Sequence, residues 1–191
     1  VMPFLQPSKE KFLEYDLAKL VYTLANPKRP VIGVMTELPM LSDFDPMTQR
    51  VRDSWILAEQ IEGLFELRRV ATSVDRIEED IDVLMLVHPK DLTETTLYAI
   101  DQFVLGGGKA LIFVDPRAEM DRPANPSDPM AAMQASQSSN LARLFQAWGI
   151  EYSPDQIVGD KQLALSITMR PGEPPVRHVG MLGLTGDSLD Q

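Results

Sequence analysis

Residues 81–116 read IDVLMLVHPKDLTETTLYAIDQFVLGGGKALIFVDP, and this stretch decides the fold. IDVLMLV (81–87) is a continuous apolar run too short for a helix, which suits a strand covered on both faces. His88-Pro89 ends it. Thr93 is placed to cap a helix that carries Leu97, Ile100 and Val104 on one side, and Gly106, Gly107 and Gly108 supply the backbone freedom its C-terminus needs. ALIFVD (110–115) is then a second strand. Strand, helix and strand joined by short connections make a parallel pair with a right-handed crossover.

Working outward, the same alternation repeats. Upstream, VIGVM (31–35) is another short β-branched run and reads as a buried strand. A loop with Pro39, Asp43, Asp45 and Pro46 follows over Thr36–Thr48. Helical spacing of Leu57, Ile61 and Leu64 predicts a helix from Gln49 to about Phe65, and Leu67–Ser73 reads as a strand. Before the first strand, Ser8 can cap a helix whose Leu13, Leu17, Leu20 and Leu24 form one stripe expected to be buried; Asn26-Pro27 stops it. The sum is an α/β chain with a doubly wound, mainly parallel sheet and helices on both faces.

Downstream, residues 116–139 hold four prolines, three methionines and the run ASQSSN, which reads as a long loop, and loops of this length are usually functional or disordered. Met120, Met130 and Met133 there suit either an adaptable contact surface or simple filler. Leu141, Leu144, Phe145 and Trp148 then mark a helix closed by Gly149. QIVGD, LALSITM and VRHVGML look like short strands. The expected organisation is one α/β domain over 1–160, with 161–191 either extending its sheet or leading to a following region.

Composition narrows the function. The chain has 191 residues, 18 basic against 28 acidic side chains, a net charge of −10 and no cysteine. That field repels phosphate backbones, so no nucleic-acid partner is expected. Thiol catalysis, thiolate metal sites and disulfides are excluded within these residues. No stretch approaches the roughly 18 apolar residues of a membrane helix. The chain opens on Val1, and residues 1–7 show neither a charged n-region nor an apolar h-region, so it reads as a piece of a longer parent.

Residues 86–116 resemble the signature stretch of the Gldg family, gliding-motility-type auxiliary proteins of ABC transporters. The likeness lies in a strand ending in Pro89-Lys90, a helix containing Ala99, Ile100, Asp101 and Gln102, a Gly-Gly-Lys turn, and a strand ending in Asp115-Pro116. A helix such as KFLEYDLAKLVYTLA ahead of VIGVM fits as well, so the resemblance covers residues 8–160. It implies a fold that is flavodoxin-like or like class I glutamine amidotransferases, in a parent anchored by membrane helices on the extracytoplasmic (periplasmic) side. The partners it implies are membrane or ATPase-associated subunits of an ABC transporter, with a glycan as a further ligand class.

Chemistry in the residues is sparse. An enzyme on this fold needs a nucleophile at a sharp strand-to-helix turn with a base beside it, yet the turn after 81–87 offers His88-Pro89-Lys90-Asp91 and no serine sits in a GxSxG setting. Only His88 and His178 could serve a triad, with a serine such as Ser73. A phosphate-loop reading of GGGK (106–109) fails because these glycines follow a helix and precede a strand, the reverse of the order an anion site needs. Glu78-Glu79-Asp80 and Asp43-Phe44-Asp45 lack the spacing of a calcium loop, and no metal or cofactor is expected. Asp101, near the packed side of its helix, needs hydrogen-bond donors and reads as structural.

Ligands of open parallel sheets sit beyond the carboxyl ends of the strands. That rule gathers Glu37, Ser73, His88 and Asp115 on one rim as the candidate binding site. Each also has a plainer reading, as a solvated loop residue, a turn residue, a strand-ending polar group and a turn former before Pro116. The function expected is a non-catalytic accessory domain that binds a partner. A degenerate hydrolase-like or amidotransferase-like enzyme and a structural spacer between membrane segments are the alternatives.

Overall fold

The structure, a computed structural model, describes residues 10, 13–45, 49–118, 120–121, 136–157, 159–168 and 172–184. The chain divides into two compact units, Val1–Ile150 and Glu151–Gln191.

The first unit is built on four parallel strands, β1 (Val31–Met35), β4 (Glu66–Val70), β5 (Val83–Val87) and β6 (Lys109–Phe113), in the order β4-β1-β5-β6. Taken along the chain this is second, first, third, fourth, the arrangement of a doubly wound sheet whose order reverses between β1 and β5. The five residues of β1 are all buried, which explains why VIGVM shows no polar alternation. Two helices cover opposite faces. α2 (Ile56–Glu62) lies on the face that carries Ile32, Val34 and Met85, where Ala58, Trp55, Ile61 and Phe65 pack with them. α3 (Glu94–Leu105) lies on the other.

The face under α3 is set by Gly33. A Cβ built there would meet Ile81 Cδ1 at 2.8 Å and Val70 Cγ2 at 2.9 Å, so these two side chains already fill the space above β1. Thr93 caps α3 as its position suggests, its hydroxyl accepting from the Thr96 amide at 3.2 Å. Thr96 itself is fully buried. Its hydroxyl meets the Thr72 carbonyl at 3.2 Å and the Val74 carbonyl at 3.1 Å, and takes the Val74 amide at 3.1 Å. The helix start is thereby tied to the segment that leaves β4. Gly106 and Gly107 end the helix, Gly107 at φ +94°, so the three glycines form a helix terminus.

Three elements differ from their sequence reading. The helix expected over 49–65 starts only at Ile56, because β2 (Asp43–Asp45) and β3 (Arg50–Arg52) form an antiparallel hairpin that puts Asp43 opposite Arg52. A three-residue strand has too little alternation to be told from the start of a helix, and only its pairing reveals it. The strand expected at 67–73 runs over Glu66–Val70. The leucine stripe of α1 (Leu13–Ala25) is not buried, and none of that helix's residues is. Its periodicity is real, but Leu17, Leu20 and Leu24 are exposed and Leu13 is only half-buried. Ser8, Met130 and Met133 lie outside the described residues; Met120 is exposed.

α4 (Ala142–Trp148) buries Leu144 and Phe145 and ends at Gly149, left-handed at φ +71°. Its Trp148 indole donates to Asp101 Oδ1 at 2.9 Å. That supplies the donor Asp101 needs from a side chain 47 residues away.

In the second unit β7 (Ala164–Ile167) and β8 (Val176–Leu182) pair antiparallel with each other, with an irregularity between Ala164 and Leu165. Asp160 Oδ1 accepts from the Gln162 and Leu163 amides at 2.6 and 3.0 Å and starts the hairpin. The described residues of QIVGD are irregular in structure. No helix of the described residues is long and apolar enough to cross a membrane.

Gly33→Val forces a β-carbon and two γ-methyls into the space that Ile81 and Val70 occupy. It is expected to destabilise the first unit by about 1–3 kcal/mol, read as a lowered urea midpoint with the slope unchanged.

Candidate functional site

The strand order places the four residues of the predicted rim side by side. Ser73 follows β4, Glu37 follows β1, His88 follows β5 and Asp115 follows β6, so they stand along one edge of the sheet in that sequence. Their surroundings differ. Ser73 and Glu37 are exposed, and Glu37 Oε1 accepts from the Thr72 hydroxyl at 2.5 Å. Between them and the core, the buried Thr36 hydroxyl accepts from the Leu38 amide at 3.0 Å and turns the chain out of β1.

Asp115 works as a turn former. Its carboxylate takes the Arg117 amide at 2.8 Å, the bond that closes an Asx turn before the chain leaves the sheet. Its backbone is clasped by Ser139, a fully buried residue: the Asp115 amide donates to Ser139 Oγ at 2.8 Å, and the Ser139 amide donates to the Asp115 carbonyl at 2.9 Å. The segment 136–140 thus returns to the end of β6 and pins it.

His88 is the one rim residue with an unusual environment. It is 3% exposed and holds φ +51°, left-handed for a residue with a Cβ. Such a conformation costs on the order of 1 kcal/mol and persists only when its surroundings impose it. Here the His88 amide continues the ladder to the Phe113 carbonyl at 2.9 Å. The ring then points Nε2 at Asp121 Oδ2, 3.1 Å away, and Lys90 Nζ reaches the same oxygen at 2.7 Å. Lys90 also donates to the Ser136 carbonyl, and the Gln137 amide group donates to the Asp121 carbonyl at 3.0 Å. Two parts of the segment after β6 are therefore held to the turn after β5, Asp121 through its carboxylate and Ser136 through its carbonyl, with Lys90 bonded to both.

Partial burial raises the Asp121 carboxyl, but the hydrogen bonds from Lys90 and His88 outweigh it and leave the carboxyl below its ordinary value of 3.8. An ionised Asp121 can only accept, so His88 Nε2 carries the proton of this bond. Nδ1 is buried and without a hydrogen-bond partner among the described residues. A carboxylate-oriented imidazole is the pairing that serves a base or a metal-binding histidine. The rest of such a site does not assemble around it. No hydroxyl hydrogen-bonds to His88 among the described residues, and no group of three His, Cys, Asp or Glu there could hold a metal ion.

Strand order brings the four residues together, but sequence reasoning missed Asp121, Lys90, Thr72 and Ser139, the groups that engage Glu37, His88 and Asp115. Asp121 is 33 residues from His88 and Ser139 is 24 from Asp115. No spacing signal reports such pairs.

A family model described as an ABC-type uncharacterized transport system matches residues 29–191. An uncharacterized protein of Borreliella burgdorferi is 28% identical over 155 residues, covering 78% of this chain. The chain spans 28% of that relative's length. No solved structure matches.

A carboxyl lowered by folding contributes stability above its unfolded value, and that contribution is lost as pH falls through the folded value. Asp121→Asn is expected to destabilise the protein by about 1 kcal/mol at neutral pH. Below pH 3.8 the parent loses the same contribution, so the two melting curves should converge there. A gap that persists unchanged to low pH would show that the carboxylate's charge is not what holds the segment.

Proposed function

Because the chain belongs to the ABC-type uncharacterized transport system family, whose model covers residues 29–191, we propose that it is a non-catalytic accessory domain that binds a protein partner within a transport complex. Its setting in this reading is the extracytoplasmic side of the inner membrane, with the parent anchored by segments outside this chain. The family match carries the proposal. The rim speaks against chemistry there. Asp115 is occupied by a turn, Glu37 by Thr72 and His88 by Asp121, so the polar groups where this fold would place a reactive constellation are engaged in holding loops. A catalytic group must instead meet its substrate at hydrogen-bond distance.

Two measurements on the whole parent protein test this. With Ser153→Cys, at an exposed position, as the single cysteine, a membrane-impermeant maleimide should label intact cells or spheroplasts before lysis. The parent, extracted in mild detergent, should co-purify with ABC transporter membrane or ATPase subunits. Labelling only after lysis would overturn the setting. Turnover of ester or amide panels that is lost in His88→Ala while its melting temperature is kept would overturn the non-catalytic reading and favour the degenerate enzyme.

A further inference from the structure

At the opposite end of the sheet, beside the amino ends of β5 and β6, a groove of about 710 Å³ runs between α3 and the segment 75–82. Its floor is apolar. Ile77, Ile81 and Ala99 are buried there, and the Phe103 ring lies so close to Gly108 that an added Cβ would fall 2.5 Å from it. One wall is the α3 edge bearing Tyr98 and Gln102, one turn apart, with the Tyr98 side chain 63% exposed. The other carries Asp75, Arg76, Glu79 and Asp82.

The lining of this groove is net acidic. Three carboxylates face a single guanidinium, and Arg76 is ion-paired with Glu79. Asp82 is held in place by the Val31 amide, which donates to its Oδ2 at 2.8 Å. The groove ends at the C-terminus of α3, Gly106 to Gly108, where the helix presents the negative end of its dipole, and the last turn of α3 carries no basic residue to compensate it. An exposed aromatic face stands beside these charges, and aromatic faces attract cations.

We infer that this groove receives a lysine or arginine side chain from an extended basic segment of a protein partner. The apolar floor suits the methylene stem of such a side chain, while the carboxylates and the helix end meet its charged head. The volume is that of a site for a few residues, within the usual range for binding pockets. The inference rests on the accessory reading only for the partner being a protein; the shape and charge of the groove stand apart from it.

The test is a titration of the isotope-labelled chain with the blocked peptide Gly-Arg-Gly-Arg-Gly, followed by amide and side-chain NMR shifts, with Gly-Glu-Gly-Glu-Gly and spermine as comparisons. The arginine peptide should shift residues 75–82, Tyr98, Gln102 and 106–108 saturably, and its affinity should fall on going from about 50 to about 300 mM salt. Asp75→Asn with Asp82→Asn, in which the amide oxygen at 82 can still accept from Val31, should weaken binding about tenfold, and Tyr98→Ala severalfold. Unchanged affinity in these variants overturns the inference, as do shifts centred on the Arg68, Glu78 and Asp80 cluster or spread over the acidic surface. Spermine binding as tightly as the peptide would make the occupant a small polyamine, and groove shifts that grow with protein concentration alone would make it a second copy. Either result overturns the basic-segment reading while leaving the accessory role to its own test in membranes.

Discussion

β1 lies between β4 and β5 with all five of its residues buried, and that position fixes much of the first unit. A strand buried on both faces must satisfy its backbone groups through two neighbouring strands and cover each face with apolar side chains. Parallel neighbours cannot be reached by a tight turn, so each connection must cross a face of the sheet. The crossover from β1 to β4 supplies α2 on one face, and the crossover from β5 to β6 supplies α3 on the other. Gly33 shows how closely the second face is filled, since Ile81 and Val70 occupy the place a β-carbon would take. Even the residue before β5 serves β1: the Asp82 carboxylate takes the Val31 amide.

The ends of the sheet follow from the same geometry. At the carboxyl end, chain leaving four adjacent strands must turn away, and each turn leaves polar backbone to be satisfied. The molecule does this with side chains from elsewhere, Thr96 for the segment after β4 and Ser139 for the end of β6, while Asp121 ties down the turn after β5 through the His88 and Lys90 side chains. At edge strand β4, Arg68 gathers Glu66, Glu78 and Asp80. The hydrogen bond from Arg68 is the main reason the Asp80 carboxyl lies below its ordinary range. These groups are exposed, so the network organises the loop more than it stabilises the fold.

How much of this the sequence disclosed depends on the range of each interaction. The β5–α3–β6 unit was legible because its signals are local: a short apolar run, a threonine in front of a helical stripe, glycines behind it. Gly149 was legible for the same reason. The β2–β3 hairpin was not, because three residues carry too little alternation and Asp43 finds Arg52 only after the chain turns back. α1 shows the converse failure. Its stripe of Leu13, Leu17, Leu20 and Leu24 has the period of a buried face, but period reports that a face exists and not that something covers it. On the rim, strand order was enough to place Glu37, Ser73, His88 and Asp115 together. What each is bonded to depended on Thr72, Asp121 and Ser139, whose roles are tertiary.

Sequence distance also separates the two ends of the sheet in kind. The rim is closed by groups that arrive from far along the chain, and each new bond there engages a polar atom that would otherwise be available to a ligand. The groove is lined by two stretches, 75–82 and 98–108, that flank β5 and owe their charges to solvent-facing positions. Its acidic side chains carry little of the fold's polar bookkeeping apart from Asp82, so they can be changed without exposing an unsatisfied buried group. His88 is the reverse case: buried, strained and missing a partner for Nδ1, it cannot be altered without disturbing the Asp121 tie. Substitutions in the groove therefore read out recognition directly. Substitutions at His88 read out loop anchoring first, which is why its effect on function must be separated from its effect on stability by measuring both.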